Sequence, residues 1–306
     1  MRVQFIILKE LLHDTFYSFG QDKIMKLSAA LAYYTIFSMA PLLIVIISLA
    51  SIFFSREAIE GEVYSALINF IGSDSAIQVQ NLIKNTALEN KSTIALIISI
   101  GVLLLGATSI FSEIQDSINI IWGLKAKPKK NWIKYLQNRF LSFSVIVSLG
   151  FLLLVSLIIS SVFEIISKNL SASFPETTII VFYAINLLLP TVISTIVIGT
   201  IFKVLPDAKI AWKDIMAGSI VTAVLFLFGK FAISFYISQT NIGSAFGAAG
   251  SLIVLLVWAY YSAVILYLGA EFTKVFAIKF GNKILPNNYA VKIEQVEVEV
   301  GTGAIT

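Results

Sequence analysis

Six stretches of this chain, near 28–54, 93–112, 140–163, 179–202, 214–238 and 250–274, are apolar almost throughout, and no other feature limits the fold so strongly. Wound as a helix, about 20 such residues match the roughly 30 Å hydrocarbon core of a bilayer. In lipid, a helix satisfies its own backbone polar groups, which an open extended segment cannot do. Composition agrees: 58% of the residues are hydrophobic and 13% charged, with a mean hydropathy of +0.89. A soluble domain carries about 45–50% apolar and about 25% charged residues. The expected fold class is therefore all-α, a polytopic transmembrane helix bundle of six spans.

Lysine and arginine set the orientation of such a bundle. Arg2, Lys9, Lys23 and Lys26 precede the first span, and Lys125, Lys127, Lys129, Lys130, Lys134 and Arg139 lie between the second and third. Lys203, Lys209 and Lys213 lie between the fourth and fifth, and Lys274, Lys279, Lys283 and Lys292 follow from the end of the sixth. The opposite loops hold only Arg56, Lys84, Lys91 and Lys168. Both termini are expected in the cytoplasm.

Three regions follow from this reading. Residues 1–27 form an N-terminal helix whose Phe5, Leu8, Leu12, Phe16 and Phe19 recur at helical spacing. It either lies on the membrane surface or packs on the rest of the protein. Residues 28–276 form the membrane domain, with a small cap of two short amphipathic helices in the outer loop 55–92. Residues 277–306 form a cytoplasmic tail expected to be disordered. Gly243 and Gly247, in the linker "TNIGSAFGAAG", read as a tight outer turn or as a hinge.

The second span raises a chemical question. "GATSIFSEIQDSINIIWG", from Gly106, carries Glu113 and Asp116 and then becomes apolar again at Ile120, Ile121 and Trp122. Ser109, Ser112, Glu113 and Asp116 follow an i, i+3, i+4, i+7 pattern and form one narrow stripe, with Ile110, Ile114, Ile118 and Ile121 on the other side. If Trp122 and the basic residues after it mark the membrane interface, Glu113 lies roughly 14 Å inside it. Acids at such depth normally face a cavity or a partner. The alternative is that the helix has already left the membrane. Candidate partners are Tyr34 and Ser38 in the first span, Tyr260, Tyr267 and Glu271 on one face of the last, and Lys230, the single basic residue inside a span. For the tyrosines, ordinary packing is the plainer reading. Pro41 and Pro190 are expected to break their helices.

These stretches resemble the YihY/BrkB family of bacterial inner-membrane proteins. The resemblance rests on "AALAYYTIFSMAPLL" from Ala29, "GATSIFSEIQDSINIIWG" from Gly106, "LPDAKIAWKDIMAGS" from Leu205 and "NIGSAFGAAGSLIVLLVWAYYSAVILYLGAEF" from Asn241. It covers nearly the whole chain and implies a multi-pass protein of the bacterial inner, or plasma, membrane. The family has carried the labels ribonuclease BN and virulence factor, and it has no motif with agreed catalytic roles.

The residues argue against the nuclease label. A metal nuclease needs clustered His and carboxylate ligands. The chain has one histidine, His13, and no cysteine, and its two neighbouring acids lie where folded RNA could hardly reach. No catalytic residue, metal or cofactor is implied, and no nucleic-acid partner. The chain is expected not to be an enzyme, since no nucleophile–base pair is recognisable. The reading is a protein among membrane lipids that moves a small solute or a lipid through a polar intramembrane cavity. The alternative is a non-transporting scaffold or envelope-integrity protein whose polar residues only hold helices together.

Overall fold

The computed structural model describes residues 2–50, 93–127, 175–239 and 248–294. The third apolar stretch, the outer loop 55–92 and the Gly243/Gly247 linker lie outside the described residues. In chain order the elements are α1 (Arg2–Gln21), α2 (Ile24–Ala50), α3 (Thr93–Ile121), β1 (Leu124–Ala126), α4 (Pro175–Val204), β2 (Ala208–Lys209), α5 (Trp212–Gln239), α6 (Ala248–Phe280), β3 (Leu285–Pro286) and β4 (Ala290–Lys292).

The architecture is mostly helical. Helices α2 to α6 run for 27 to 33 residues each, about 40–50 Å at the α-helical rise. Where side chains are described, Trp212–Gly229 and Leu255–Phe280 are long and apolar enough to cross a bilayer, and Leu188–Val204 is a shorter apolar stretch. Proline does not break the helices as expected. Helix α2 runs through Pro41 and α4 runs through Pro190; each proline removes one backbone donor, and the rest of the helix carries the turn.

Helix α2 packs between α3 and α6, and α5 packs between α6 and α4. Small residues set these contacts. Gly106 of α3 lies against Ser38 of α2, and Gly199 of α4 lies against Ser219 of α5. Between α5 and α6 the contact is reciprocal. A Cβ on Gly218 would run into Thr273, and one on Gly269 would run into Thr222. Each threonine turns its hydroxyl onto the carbonyl of the glycine four residues before it, Thr222 to Gly218 at 2.6 Å and Thr273 to Gly269 at 2.7 Å. Neither threonine hydroxyl hydrogen is then left facing the neighbouring helix. Close approach through small residues is how helices associate where lipid removes the hydrophobic drive.

One end of the bundle is tied by irregular chain. Helix α3 stops at Gly123, whose φ of 65° is the left-handed conformation of a helix-ending glycine. Beyond it β1 pairs antiparallel with β4, Lys125 opposite Val291, and β2 pairs with β3, Ala208 opposite Pro286. The region from 277 is thus not wholly the disordered tail expected: α6 continues to Phe280, and 285–292 is strand-paired. The alternating "ILPNNYAVKIE" looks polar and short, but its partners are loops distant in sequence. Residues 295–306 lie outside the described residues. Asp214, buried in the first turn of α5, accepts from the Asn282 N–H at 3.1 Å and lies against Gly281, where no side chain would fit. A carboxylate there also complements the positive end of the helix.

Helix α1 docks on the last turns of α6. Leu11 is buried with Phe272 and Val275, and Lys279 pairs with Asp14 at 2.6 Å and Glu10 at 3.8 Å. The hydrogen bonds from Lys279 and then His13 hold the Asp14 carboxyl below its usual range. Leu12 and Phe16, on the face expected to be apolar, remain exposed, as do Ile6 and Ile7. Helix α1 therefore packs through one side and presents a second apolar side outward.

Candidate functional site

The α3 stripe is split by the fold. Ser112 and Asp116 are exposed, Ser109 and Glu113 are half-buried, and Glu113 accepts a hydrogen bond from Ser117 at 3.3 Å. Among the described residues, the polar groups that α3 seals into the bundle are Ser117 and Asn119, beside Ile114, Ile118 and Ile121. The stripe is the border between the buried and open sides of the helix rather than a line pointing into the centre.

Of the proposed partners, Tyr267 reaches this border. It is fully buried, and its hydroxyl faces Ser117, Glu113 and Asp116. Tyr260 does not join it: its hydroxyl donates to Met25 Sδ at 3.1 Å. Ser38 spends its hydroxyl on the Tyr34 carbonyl at 2.7 Å, and the Tyr34 ring meets Tyr33 edge-on. Ser38 is a helix-packing residue of α2, since a serine bonded to its own i−4 carbonyl has no proton to give elsewhere, while Tyr34 stays exposed. Lys230 stands in α5, and its side chain lies outside the described residues. Glu271 is buried with Lys274, one turn further along α6 than Tyr267.

Sequence reading missed a second polar centre. Asp207, in the turn after α4, is buried. Its carboxylate accepts from Gln115 Nε2 at 3.2 Å and from Asn119 Nδ2 at 3.1 Å, while its own N–H donates to Asn119 Oδ1 at 2.9 Å. The Asp207 carbonyl accepts from the Asn287 N–H at 2.9 Å. Partial burial, and then the charge of Asp207, push the Tyr289 phenol above its ordinary value. Asp207 therefore clamps α3, the α4–α5 turn and the β3–β4 segment. Asp207→Ala removes the acceptor that the buried Asn119 amide and the half-buried Gln115 amide share, and the expected loss is roughly 1–3 kcal/mol. Denaturation in mixed micelles, with proteolysis of 285–292 followed in parallel, would show it; unchanged resistance in both would refute the clamp.

All these ties lie at one end of the bundle. Lys274 binds Asp22 and the Ile121 carbonyl, Asn119 binds Asp207, and Asp214 binds Asn282. The starts of α2 and α5 and the ends of α3, α4 and α6 therefore meet there. Among the described residues every lysine except Lys230 belongs to these ends, the turns joining them, or α1.

Comparisons with known proteins agree with a membrane setting. The family model described as virulence factor BrkB matches residues 15–293. A "UPF0761 membrane protein" of Psychromonas ingrahamii is 29% identical over 265 residues, covering 83% of this chain and 82% of that one. One of Aeromonas salmonicida is 27% identical over 262 residues, covering 83% and 84%. A third, of Aggregatibacter aphrophilus, is 25% identical over 285 residues, covering 91% and 94%. No solved structure matches the chain. With the family model spanning all but the two ends of the sequence, and small-residue helix contacts beneath it, this chain is a membrane protein of the BrkB virulence-factor family.

Proposed function

We propose that this protein moves a small polar solute or a lipid headgroup across the bacterial inner membrane, along the Glu113–Asp116 border of α3. One observation carries the reading. Two acids stand partly or wholly open on a helix that is otherwise uncharged, with Trp122 and the lysine-rich end of the bundle beyond them. With that end at the interface, Glu113 lies roughly 14 Å deep, where a carboxyl group facing lipid is costly and one facing a polar path is not. The protein acts as a carrier, without enzyme chemistry and without nucleic acid.

The same reading has six spans and both termini in the cytoplasm. The gathering of lysines at one end supports it, because such residues stay on the cytoplasmic side. So do the open Leu12 and Phe16 of α1, which suit a helix lying in the interface. Cysteines placed at Ser73 and Ala126 of this cysteine-free chain should then label from opposite sides in sealed vesicles; labelling of both from the outer side would overturn the topology. Function is tested by comparing lipid distribution between leaflets and solute content in cells with and without the protein. A change restored by the wild-type chain supports transport. No change in either would favour a scaffold that holds partners at the membrane.

A further inference from the structure

Glu271 is fully buried, and its charge environment does not balance. Lys274 Nζ touches three oxygens: Asp22 Oδ2 at 2.7 Å, Glu271 Oε1 at 2.7 Å and the Ile121 carbonyl at 2.8 Å. An ammonium has three protons, and its two aligned bonds, to Asp22 and the Ile121 carbonyl, use two of them. The Glu271 contact is a close ion pair without the alignment of a hydrogen bond, and neither Glu271 oxygen receives an aligned donor from the described residues. The Asp22 and Glu271 carboxyl groups each hold an oxygen 2.7 Å from the same ammonium. Two carboxylates thus share one cation in a site closed to solvent on the Glu271 side.

We propose that Asp22, Glu271 and Lys274 form a proton-binding site, in which one proton is held between the two carboxyl groups, on Glu271. With both carboxyls ionised, the cluster would carry a net negative charge in a low-dielectric place, which costs far more than holding a proton. Two like charges held 2.7 Å from the same ammonium repel each other, which disfavours the doubly charged form. The proton also supplies the donor that the geometry lacks: a protonated Glu271 gives an O–H to an Asp22 oxygen, while Lys274 neutralises the remaining charge.

The other titratable groups nearby are accounted for. Lys274 and Asp22 act directly on Glu271. Tyr267, one turn away on α6, looks toward Ser117, Glu113 and Asp116 of α3. Helix α2 contributes Ser28, fully buried with no hydrogen-bond partner among the described residues. Release of the proton as H⁺ leaves two carboxylates on one ammonium, so the α1–α2 turn is pushed from α6. The site thereby links protonation to the seating of the turn between α1 and α2. That linkage holds whether or not a solute crosses the protein.

Infrared difference spectroscopy of the full-length protein in lipid nanodiscs tests this. The wild type should show the carbonyl band of a protonated carboxylic acid at neutral pH. Glu271→Gln should abolish it. Asp22→Asn should abolish it too, although Glu271 is still present, because one carboxylate and one ammonium then balance. Absence of the band in wild type, or its survival in Glu271→Gln, would overturn the site. A band kept in Asp22→Asn would overturn the sharing of charge. Circular dichroism and elution volume report folding of each isosteric variant, and the wild-type spectrum stands even if a variant does not fold.

Discussion

Gly269→Leu is expected to prevent α5 and α6 from packing, giving protein that inserts but no longer resists detergent or protease. The first atom of the new side chain already runs into Thr222, and the rest has no space in the contact. Overpacking of a well-filled contact costs about 1–3 kcal/mol; leucine here should exceed that, and alanine should fall within it. The reciprocal geometry permits a sharper test. Gly218 meets Thr273 as Gly269 meets Thr222, so Gly218→Ala should be damaging alone and be partly rescued by Thr273→Gly. The two changes should show a favourable coupling of roughly 1 kcal/mol or more, as contacting residues do. Additive losses would mean that the helices do not meet through this pair.

Glu113→Gln should abolish transport while leaving the folded protein intact. Glutamine keeps the shape and can still accept from Ser117, so the 3.3 Å contact survives and only the charge is lost. Since Glu113 is half-buried and Asp116 exposed, little stability depends on either charge; exposed substitutions usually stay within about 0.5 kcal/mol. Ser112→Leu should also impair transport, by placing an apolar group on the open side of α3. Wild-type activity in both variants would remove the α3 border from the mechanism.

The helices and the lysine-rich end were legible in the sequence because both follow from composition along the chain. Apolar runs predicted α2 to α6, and the isoleucines of α3 gave its buried side: Ile114, Ile118 and Ile121 lie in the core. The contacts between helices were not legible. Gly243 and Gly247 drew attention as a spaced pair, whereas Gly218 and Gly269 each pair with a threonine on another helix. Nothing in one strand of sequence shows that reciprocity. The same holds for Asp207, whose partners are 88 and 92 residues earlier. Lys274 offered a signal that was read too narrowly. It stands three residues after Glu271, a helical neighbour, yet as a lysine at the end of a span it marks orientation equally well. Asp22 sits in the turn just before Lys23, whose φ of 52° helps turn the chain toward α6. The strands within 285–292 are illegible for the same reason, since short strands borrow their stability from partners distant in sequence.

The central claim, that the acids of α3 border a polar path inside the membrane, is tested most directly by single cysteines at 109, 112, 113, 116 and 127, introduced one at a time into this cysteine-free chain. Each is exposed in turn to a small water-soluble thiol reagent and to a bulky impermeant one. The account predicts that position 127 reacts with both, while 113 and 116 react with the small reagent and resist the bulky one. Equal reaction of 109, 112, 113, 116 and 127 with both reagents would contradict it, since α3 would then have left the membrane before Glu113. Failure of 113 and 116 to react with either would contradict it as well, because no water would reach the acids.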